Sequence, residues 1–176
     1  DLNLARAMVG GAGTTTAAIA TGGTQPSDSN SAKNESWNGS SWTEVNDLNV
    51  GNKAFGMAGT ATAAFEVGGN NAATSYVATH EQWDGTSWTE SGDINTARNW
   101  GSSFGITTAA IYGGGRTPGS SPNGVANVES WNGSAWTEVN DLNQARYEAA
   151  SGSGIQTAGM IFAGYQPPNN LSKTEI

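Results

Sequence analysis

The chain has 176 residues, a formal net charge of −8 from 15 acidic and 7 basic residues, and no cysteine. The few, scattered Lys and Arg residues argue against nucleic acid or an anionic membrane surface as partner, because both are bound by clustered positive charge. The absence of cysteine excludes disulfides and thiolate metal sites, and no apolar run approaches the roughly 18 residues needed for insertion into a membrane.

A repeat of about 46 residues organises the sequence. Its most regular segment reads Glu-x-Trp, then Asn-Gly or Asp-Gly, then x-x-Trp-Thr-Glu, and it begins at Glu35, Glu81 and Glu129. An Asp-Leu-Asn or Asp-Ile-Asn triplet begins at Asp1, Asp47, Asp93 and Asp141. A Gly-Gly pair closes an apolar run at Gly22, Gly68 and Gly114, and the fourth copy has Ala163-Gly164.

Each repeat predicts four short strands in the same order. The first follows the triplet and is made of small residues, as in 6–12. The second is an apolar run, such as 17–21 or 109–112, of the kind found in strands buried on both faces. The third ends in Glu-x-Trp, and a tight Asn-Gly or Asp-Gly turn leads to the fourth, Trp-Thr-Glu-Val. Variable loops separate the second and third strands at 24–33, 70–79, 116–127 and 166–172.

These motifs together resemble the kelch repeat, and the likeness covers nearly the whole chain. The chain departs from the usual kelch pattern in having Trp37, Trp83 and Trp131 before a shortened turn. The resemblance implies an all-β fold, a β-propeller of kelch-type four-stranded antiparallel blades, with the first strand at the axis and the fourth outermost. The short Asn/Gly/Thr-rich form is similar to repeats of phage fibre proteins and environmental bacterial appendage proteins, which implies an extracellular or virion-associated location.

The blade boundaries follow from the repeat. We expect a single propeller, or part of one, over 1–176, with complete blades at 1–46, 47–92 and 93–140. The fourth, at 141–176, stops inside the predicted third strand. Three explanations stay open: an excerpt of a longer array, a chain that closes by pairing with another copy, or a four-bladed ring with one defective blade.

Two repeated features have both a structural and a binding interpretation. The tryptophans five residues apart, as in Trp37 and Trp42, resemble a sugar-stacking platform, but their recurrence favours packing between blades. Arg6, Arg98 and Arg146 occupy one equivalent position, which is Asn52 in the second repeat. They either bind an anionic or hydroxylated ligand at the channel mouth or bond to neighbouring backbone carbonyls or to the Asp of the Asp-Leu-Asn triplet.

Positions that break the repeat are better candidates for ligand recognition. Phe55, Trp100 and Tyr147 are varied aromatics near the predicted axis, and framework positions would repeat instead. Tyr76, His80 and Arg116 are the least generic residues of the predicted loop face, which is the usual binding surface of kelch-type propellers. The candidate ligand-binding residues are therefore Arg6, Phe55, Tyr76, Arg98, Trp100, Arg116, Arg146 and Tyr147.

The sequence gives little support for catalysis. One histidine and no cysteine exclude a His-rich metal centre and a Cys-His nucleophile pair. A paired-carboxylate glycosidase needs unique acids at the open face, where only Glu148 and Asp28 stand out. We therefore expect no enzyme activity, no cofactor and no metal.

Two functions follow as hypotheses. One is a binding module that recognises a carbohydrate or cell-surface ligand through its loop face. The other is a structural or assembly component of a virion or fibre, which self-associates or contacts other subunits through the unfinished blade.

Overall fold

The computed structural model describes residues 1–27, 29–148 and 150–175. The all-β prediction is confirmed, and no described residue is helical. The first repeat forms β1 (Gly10–Gly13), β2 (Ala18–Thr21), β3 (Asn34–Trp37) and β4 (Trp42–Val45). The second forms β5 (Asn52–Lys53), β6 (Gly56–Gly59), β7 (Ala64–Val67), β8 (Asn70–Asn71), β9 (His80–Trp83) and β10 (Trp88–Glu90). The third forms β11 (Ser102–Ile106), β12 (Ala109–Gly113), β13 (Val128–Trp131) and β14 (Trp136–Val139). The fourth forms β15 (Ala150–Ile155), β16 (Ala158–Phe162), β17 (Tyr165–Gln166), β18 (Asn169–Asn170) and β19 (Thr174–Glu175).

Each repeat builds its own antiparallel sheet. The first three sheets have four strands in the orders β1-β2-β3-β4, β6-β7-β9-β10 and β11-β12-β13-β14. The fourth has the order β15-β16-β19, and the two-residue ladders β5-β8 and β17-β18 lie beside their sheets. The predicted second strand is therefore central in each four-stranded sheet, which explains its apolar composition.

The first strand of each sheet begins later than its sequence predicts. Residues 6–12 read as one strand, but β1 begins only at Gly10. Met8 has a φ of +56°, in the left-handed region, and this conformation interrupts an extended chain. The interruption separates the arginine position from the sheet.

The tight turns between the third and fourth strands follow the sequence closely. The Asn38 side-chain oxygen accepts the backbone N–H groups of Ser40 and Ser41 at 3.0 and 2.9 Å. Asp84 and Asn132 make the equivalent bonds. The following glycines have φ near +95°, which a side chain would strain.

Each sheet contacts the next one along the chain through its first strand. β1 contacts β6, β6 contacts β11, and β11 contacts β15. Within the described residues, no comparable contact joins β15 to β1, and no closed barrel or ring is found.

Two hydrophobic cores lie between neighbouring sheets. Between the first and second sheets, Trp83 and Trp88 pack with Ile19, Leu48 and Met57. Between the second and third, Trp131 and Trp136 pack with Phe65, Val67, Ile94, Ala110 and Tyr112. The tryptophan pairs of the second and third sheets thus each fill the space against the preceding sheet. The part of the chain that the structure describes contains no helix long and apolar enough to cross a membrane.

Candidate functional site

One backbone conformation recurs immediately before the first strand of each main sheet. The residue two positions after the arginine position has a positive φ of 51–57° although it is not glycine: Met8, Ala54, Trp100 and Glu148. We call these four residues the inner rim. Because L-residues rarely adopt this region, its repetition with four different side chains marks a position where the backbone is fixed and the side chain is free to vary.

Backbone hydrogen bonds connect the inner rim from one repeat to the next. The Trp100 N–H donates to the Ala54 carbonyl at 2.8 Å, and the Glu148 N–H donates to the Trp100 carbonyl at 3.0 Å. Neighbouring rim residues therefore lie side by side where the first strands of the sheets meet.

The residue before each rim position pairs with the residue after the glycine pair. Asn99 and Arg116 exchange two backbone hydrogen bonds of 3.0 and 2.8 Å, and Tyr147 and Tyr165 exchange two of 3.0 and 2.8 Å. Ala7 with Thr24 and Lys53 with Asn70 are the equivalent pairs. The backbone pairing of this ladder is the same in every repeat, whereas its side chains differ from one repeat to the next.

The third and fourth repeats bring the most distinctive side chains together. The Arg116 guanidinium lies 4.8 Å from the Tyr147 ring centroid, and the Tyr147 and Tyr165 rings are 5.4 Å apart at 83°. Half-exposed Trp100 and exposed Glu148 are joined to this group by the bonds described above. We call these five residues the rim cluster.

The charges of the rim cluster act on the Tyr147 hydroxyl. Burial raises the pKa of Tyr147, the nearby Arg116 opposes that rise, and Glu148 and Tyr165 add to it. Tyr147 is only 6% exposed, and Arg116 also donates to the Ser121 hydroxyl at 2.5 Å. The cluster thus offers one half-exposed indole, one cation and one carboxylate around a buried tyrosine.

Three predicted ligand-binding residues lie elsewhere, within the sheets. The side chains of Arg6, Arg98 and Arg146 are 0% exposed and pair with Glu35, Glu129 and Glu175. Arg6 also donates to the Gly22 carbonyl at 2.8 Å, and Arg146 to the Ala163 carbonyl at 2.9 Å. The Arg6 and Arg146 guanidinium groups thus join the end of the second strand to the third strand, and Arg98 does the same through the Tyr112 carbonyl and Glu129. This burial favours the structural interpretation of the arginines, with glutamates rather than the triplet Asp as their acidic partners.

The glutamates of the Glu-x-Trp motif are therefore internal partners. The Asn3 side chain, from the triplet, donates to Glu35 at 2.9 Å, and Asn95 donates to Glu129 at 2.7 Å. Burial raises the pKa of Glu35, but hydrogen bonds from Asn3 and Arg6 outweigh it, and the net pKa is lowered. These glutamates were assigned no partner from the sequence; the recurrence of asparagine and glutamate in every complete repeat, with arginine in all but the second, was the available signal.

Phe55 and Tyr76 are also placed apart from the rim cluster. The Phe55 side chain packs against Gly10 and Gly22, between the first and second sheets. Its sequence position follows the rim residue Ala54, so it is not equivalent to Trp100. Tyr76 lies half-exposed in loop 70–79, next to Ser75, whose carbonyl accepts the Asn99 side chain at 2.8 Å.

His80 is a core residue of β9 and lies away from the loop face where the sequence placed it. Its ring lies 4.6 and 5.4 Å from the Trp131 and Trp136 rings, and the Trp136 indole N–H points at His80 Nδ1 at 3.3 Å. Burial lowers the pKa of His80 to about 4, so the ring is neutral at physiological pH. A histidine enclosed by aromatic rings stabilises the core between the second and third sheets.

A cleft of about 260 Å³ between the third and fourth sheets is lined by Phe104, Ile111, Leu142 and Ile161, among others. In the two preceding interfaces a tryptophan pair occupies the corresponding place. The cleft therefore belongs to sheet packing, and the rim cluster remains the candidate site. Among the described residues, no group of three or more His, Asp or Glu side chains could hold a metal ion. Asp28 lies outside the described residues.

Comparison with known proteins adds no relative. The chain matches no model of a known protein family, and no curated protein matches it.

Proposed function

We propose that the chain is a non-enzymatic binding module that takes a carbohydrate, or another hydroxyl-rich cell-surface ligand, on the rim cluster. The observation that carries this proposal is the concentration of Trp100, Arg116, Tyr147, Glu148 and Tyr165 at positions whose backbone repeats and whose side chains do not. A packing role would favour the same residue in every repeat, as it does for the tryptophan pairs.

The chemistry of the cluster suits a sugar. An exposed indole gives an apolar surface for the C–H face of a pyranose ring, and it does so with little loss of side-chain entropy. Arg116 and Glu148 supply a donor and an acceptor for hydroxyl groups. The net charge of −8 disfavours strongly anionic ligands such as nucleic acid.

The scaffold we propose is a kelch-type propeller, complete or in part. Four successive antiparallel sheets, one from each repeat, support this interpretation, as do the contacts that join their first strands in series. In a propeller the first strands line the axis, so the inner rim and its ladder would face the channel mouth. A phage fibre or an extracellular appendage is the setting that we propose.

A glycan-array screen of the purified chain, followed by calorimetric titration of each hit, tests the binding function. We expect a hit whose affinity Trp100→Ala lowers at least about tenfold, since a lost stacking contact is worth about 1–3 kcal/mol. Trp42→Ala is the matched control: it removes another half-exposed tryptophan, on the first sheet, and should leave affinity unchanged. A blank array with folded protein, or equal losses from both variants, would count against this site.

One observation favours the second function, a structural or assembly component. Trp37 and Trp42 are half-exposed, whereas their equivalents Trp83, Trp88, Trp131 and Trp136 are at most 5% exposed. The face that the first sheet presents is the kind of face that the second and third sheets bury. We propose that a second copy of the chain covers it if this function holds.

A further inference from the structure

The second repeat differs from the others inside its sheet. Where they have Arg6, Arg98 and Arg146, it has Asn52, and its third-strand glutamate, Glu81, has no guanidinium partner at that position. Asn52 instead donates to the Gly68 carbonyl at 2.7 Å and to Glu66 at 2.8 Å.

Glu66 is a second departure at the same place. Its equivalents are Ala20, Tyr112 and Ile161, none of which carries a negative charge at neutral pH. Glu66 on β7 lies directly opposite Glu81 on β9, so both side chains project from the same face of the sheet. They are 1% and 4% exposed and border a cavity of about 40 Å³.

Two buried carboxyl groups in this arrangement cannot both be ionised at low cost. Burial penalises each charge, and a like charge on the neighbouring strand penalises the second ionisation further. In the other repeats an arginine guanidinium offsets the charge of the buried third-strand glutamate. In the second repeat the uncharged amide of Asn52 stands in its place. We propose that Glu66 and Glu81 hold one proton between them at neutral pH and act as a pH-sensitive element at the contact between the first and second sheets.

The surrounding groups agree with a retained proton. Burial, with the charge of Glu81, raises the pKa of Glu66 well above its usual range, against the Asn52 hydrogen bond. Burial also raises the pKa of Glu81, with Glu90 adding to it and Asn49 opposing it.

The other groups packed around the pair are mostly neutral. Met57 lies opposite Glu66 on β6, and Asn71 and Thr79 line the cavity. Lys53 follows Asn52 on β5, and the pKa of Tyr112, in the third sheet, is raised to about 12, chiefly by its burial. Asn71 and Thr79 do not titrate, and the third carboxyl that lines the cavity, Glu90, is exposed to solvent, so Glu66 and Glu81 are the buried carboxyls of this site.

The sign of the pH effect follows from these directions. Unfolded, both glutamates lose their protons near pH 4.3, while the folded protein keeps one to a higher pH. The contribution of this pair to stability is therefore greatest below the unfolded pKa and is lost as pH rises through the raised folded pKa. Glu66→Gln removes this pH-dependent loss of stability. The Tm of the variant should therefore nearly equal that of the unaltered chain at pH 4 and exceed it by several degrees at pH 8.

The experiment measures thermal unfolding from pH 4 to 9 for the full chain, Glu66→Gln, Asn52→Arg and the exposed control Glu138→Gln. Asn52→Arg restores the guanidinium of the other repeats and should also flatten the pH dependence, whereas Glu138→Gln should follow the unaltered chain. Carboxyl ¹³C NMR of the unaltered chain needs no variant, and we expect one glutamate to titrate well above pH 4.3.

Three results would overturn the proposal. One is titration of every glutamate near pH 4.3, and another is a Tm difference for Glu66→Gln that does not change with pH. The third is a Tm that rises with millimolar Ca²⁺ in the unaltered chain but not in Glu66→Gln, because a cation and not a proton would then neutralise the pair.

Discussion

At the scale of single residues, the arginine near the start of the first, third and fourth repeats is paired with a glutamate about 30 positions later. Arg98 donates to Glu129 and to the Tyr112 carbonyl, and its guanidinium lies 4.7 Å from the Tyr112 ring centroid. Neither charge reaches solvent, so each depends on the other for its stability.

We expect Arg98→Ala to lower the free energy of unfolding by about 3–5 kcal/mol, because Glu129 would remain as an uncompensated buried charge. Urea denaturation followed by tryptophan fluorescence measures the change. Lys33→Ala is the control, since Lys33 pairs with Glu44 and Asp47 at the surface and its loss should shift the midpoint little. Similar midpoints for the two variants would contradict the structural role of Arg98.

Single residues also mark how far the sequence could predict the site. Trp100, Arg116 and Tyr147 are unrepeated side chains in a repeated frame, and the structure brings all three together. Phe55 breaks the repeat just as clearly, yet it fills the space between two sheets, where Tyr112 does the same job one repeat later. The sequence could not separate Phe55 from Trp100. Trp100 is itself a rim residue, whereas Phe55 stands one position after the rim residue Ala54, where the side chain points into the sheet interface.

At the scale of elements, the hairpin of the third and fourth strands joins one sheet to the preceding one. Its two tryptophan rings lie 5.5 Å apart in all three copies. The first indole N–H donates to a carbonyl of the turn between the first two strands, at 2.9 Å for both Trp37 and Trp131. The three tryptophan pairs differ mainly in whether a preceding sheet covers their rings.

This difference gives a matched pair of substitutions. Trp131→Ala should cost about 3–5 kcal/mol, because Trp131 is fully buried between the second and third sheets. Trp37→Ala loses the same hydrogen bond but far less buried surface, so we expect a clearly smaller cost in the same denaturation experiment. Equal costs in dilute solution would mean that the face of the first sheet is covered.

The elements themselves were predictable to different degrees. The hairpin turns and the central apolar strands follow directly from Asn-Gly or Asp-Gly and from the run before Gly-Gly. The first strand was predicted to begin at residue 6, four residues before β1 begins. The positive φ of Met8 interrupts the strand, and the sequence does not reveal it because methionine rarely adopts this conformation. The buried acids of Glu-x-Trp were missed for a similar reason: their partners lie far along the chain.

At the scale of the whole molecule, four sheets stack in one direction, and the first and last have faces that no neighbouring sheet in the described chain covers. In the fourth sheet, β19 pairs with β16, and no further strand among residues 1–27, 29–148 and 150–175 pairs with its other edge. Such faces and edges favour contact with further sheets of the same kind.

If the assembly function holds, sedimentation velocity should show association that increases with concentration. Trp37→Asp should weaken it, because a charge would be buried at the interface, while Trp100→Ala should leave it unchanged. A chain that remains monomeric at high concentration, with Trp37 as exposed as in the single chain, would exclude this route.

The inner rim has one more consequence, for how such a protein acquires new specificities. The bonds between neighbouring rim residues use main-chain N–H and C=O groups, so exchanging the side chain at 100 or 148 leaves them in place. Any L-residue placed there must adopt the positive φ of the rim, at a conformational cost on the order of 1–2 kcal/mol that the present residues already carry. Randomising these two positions together should therefore yield mostly folded variants, and this part of the rim would serve as a display surface for selecting binders.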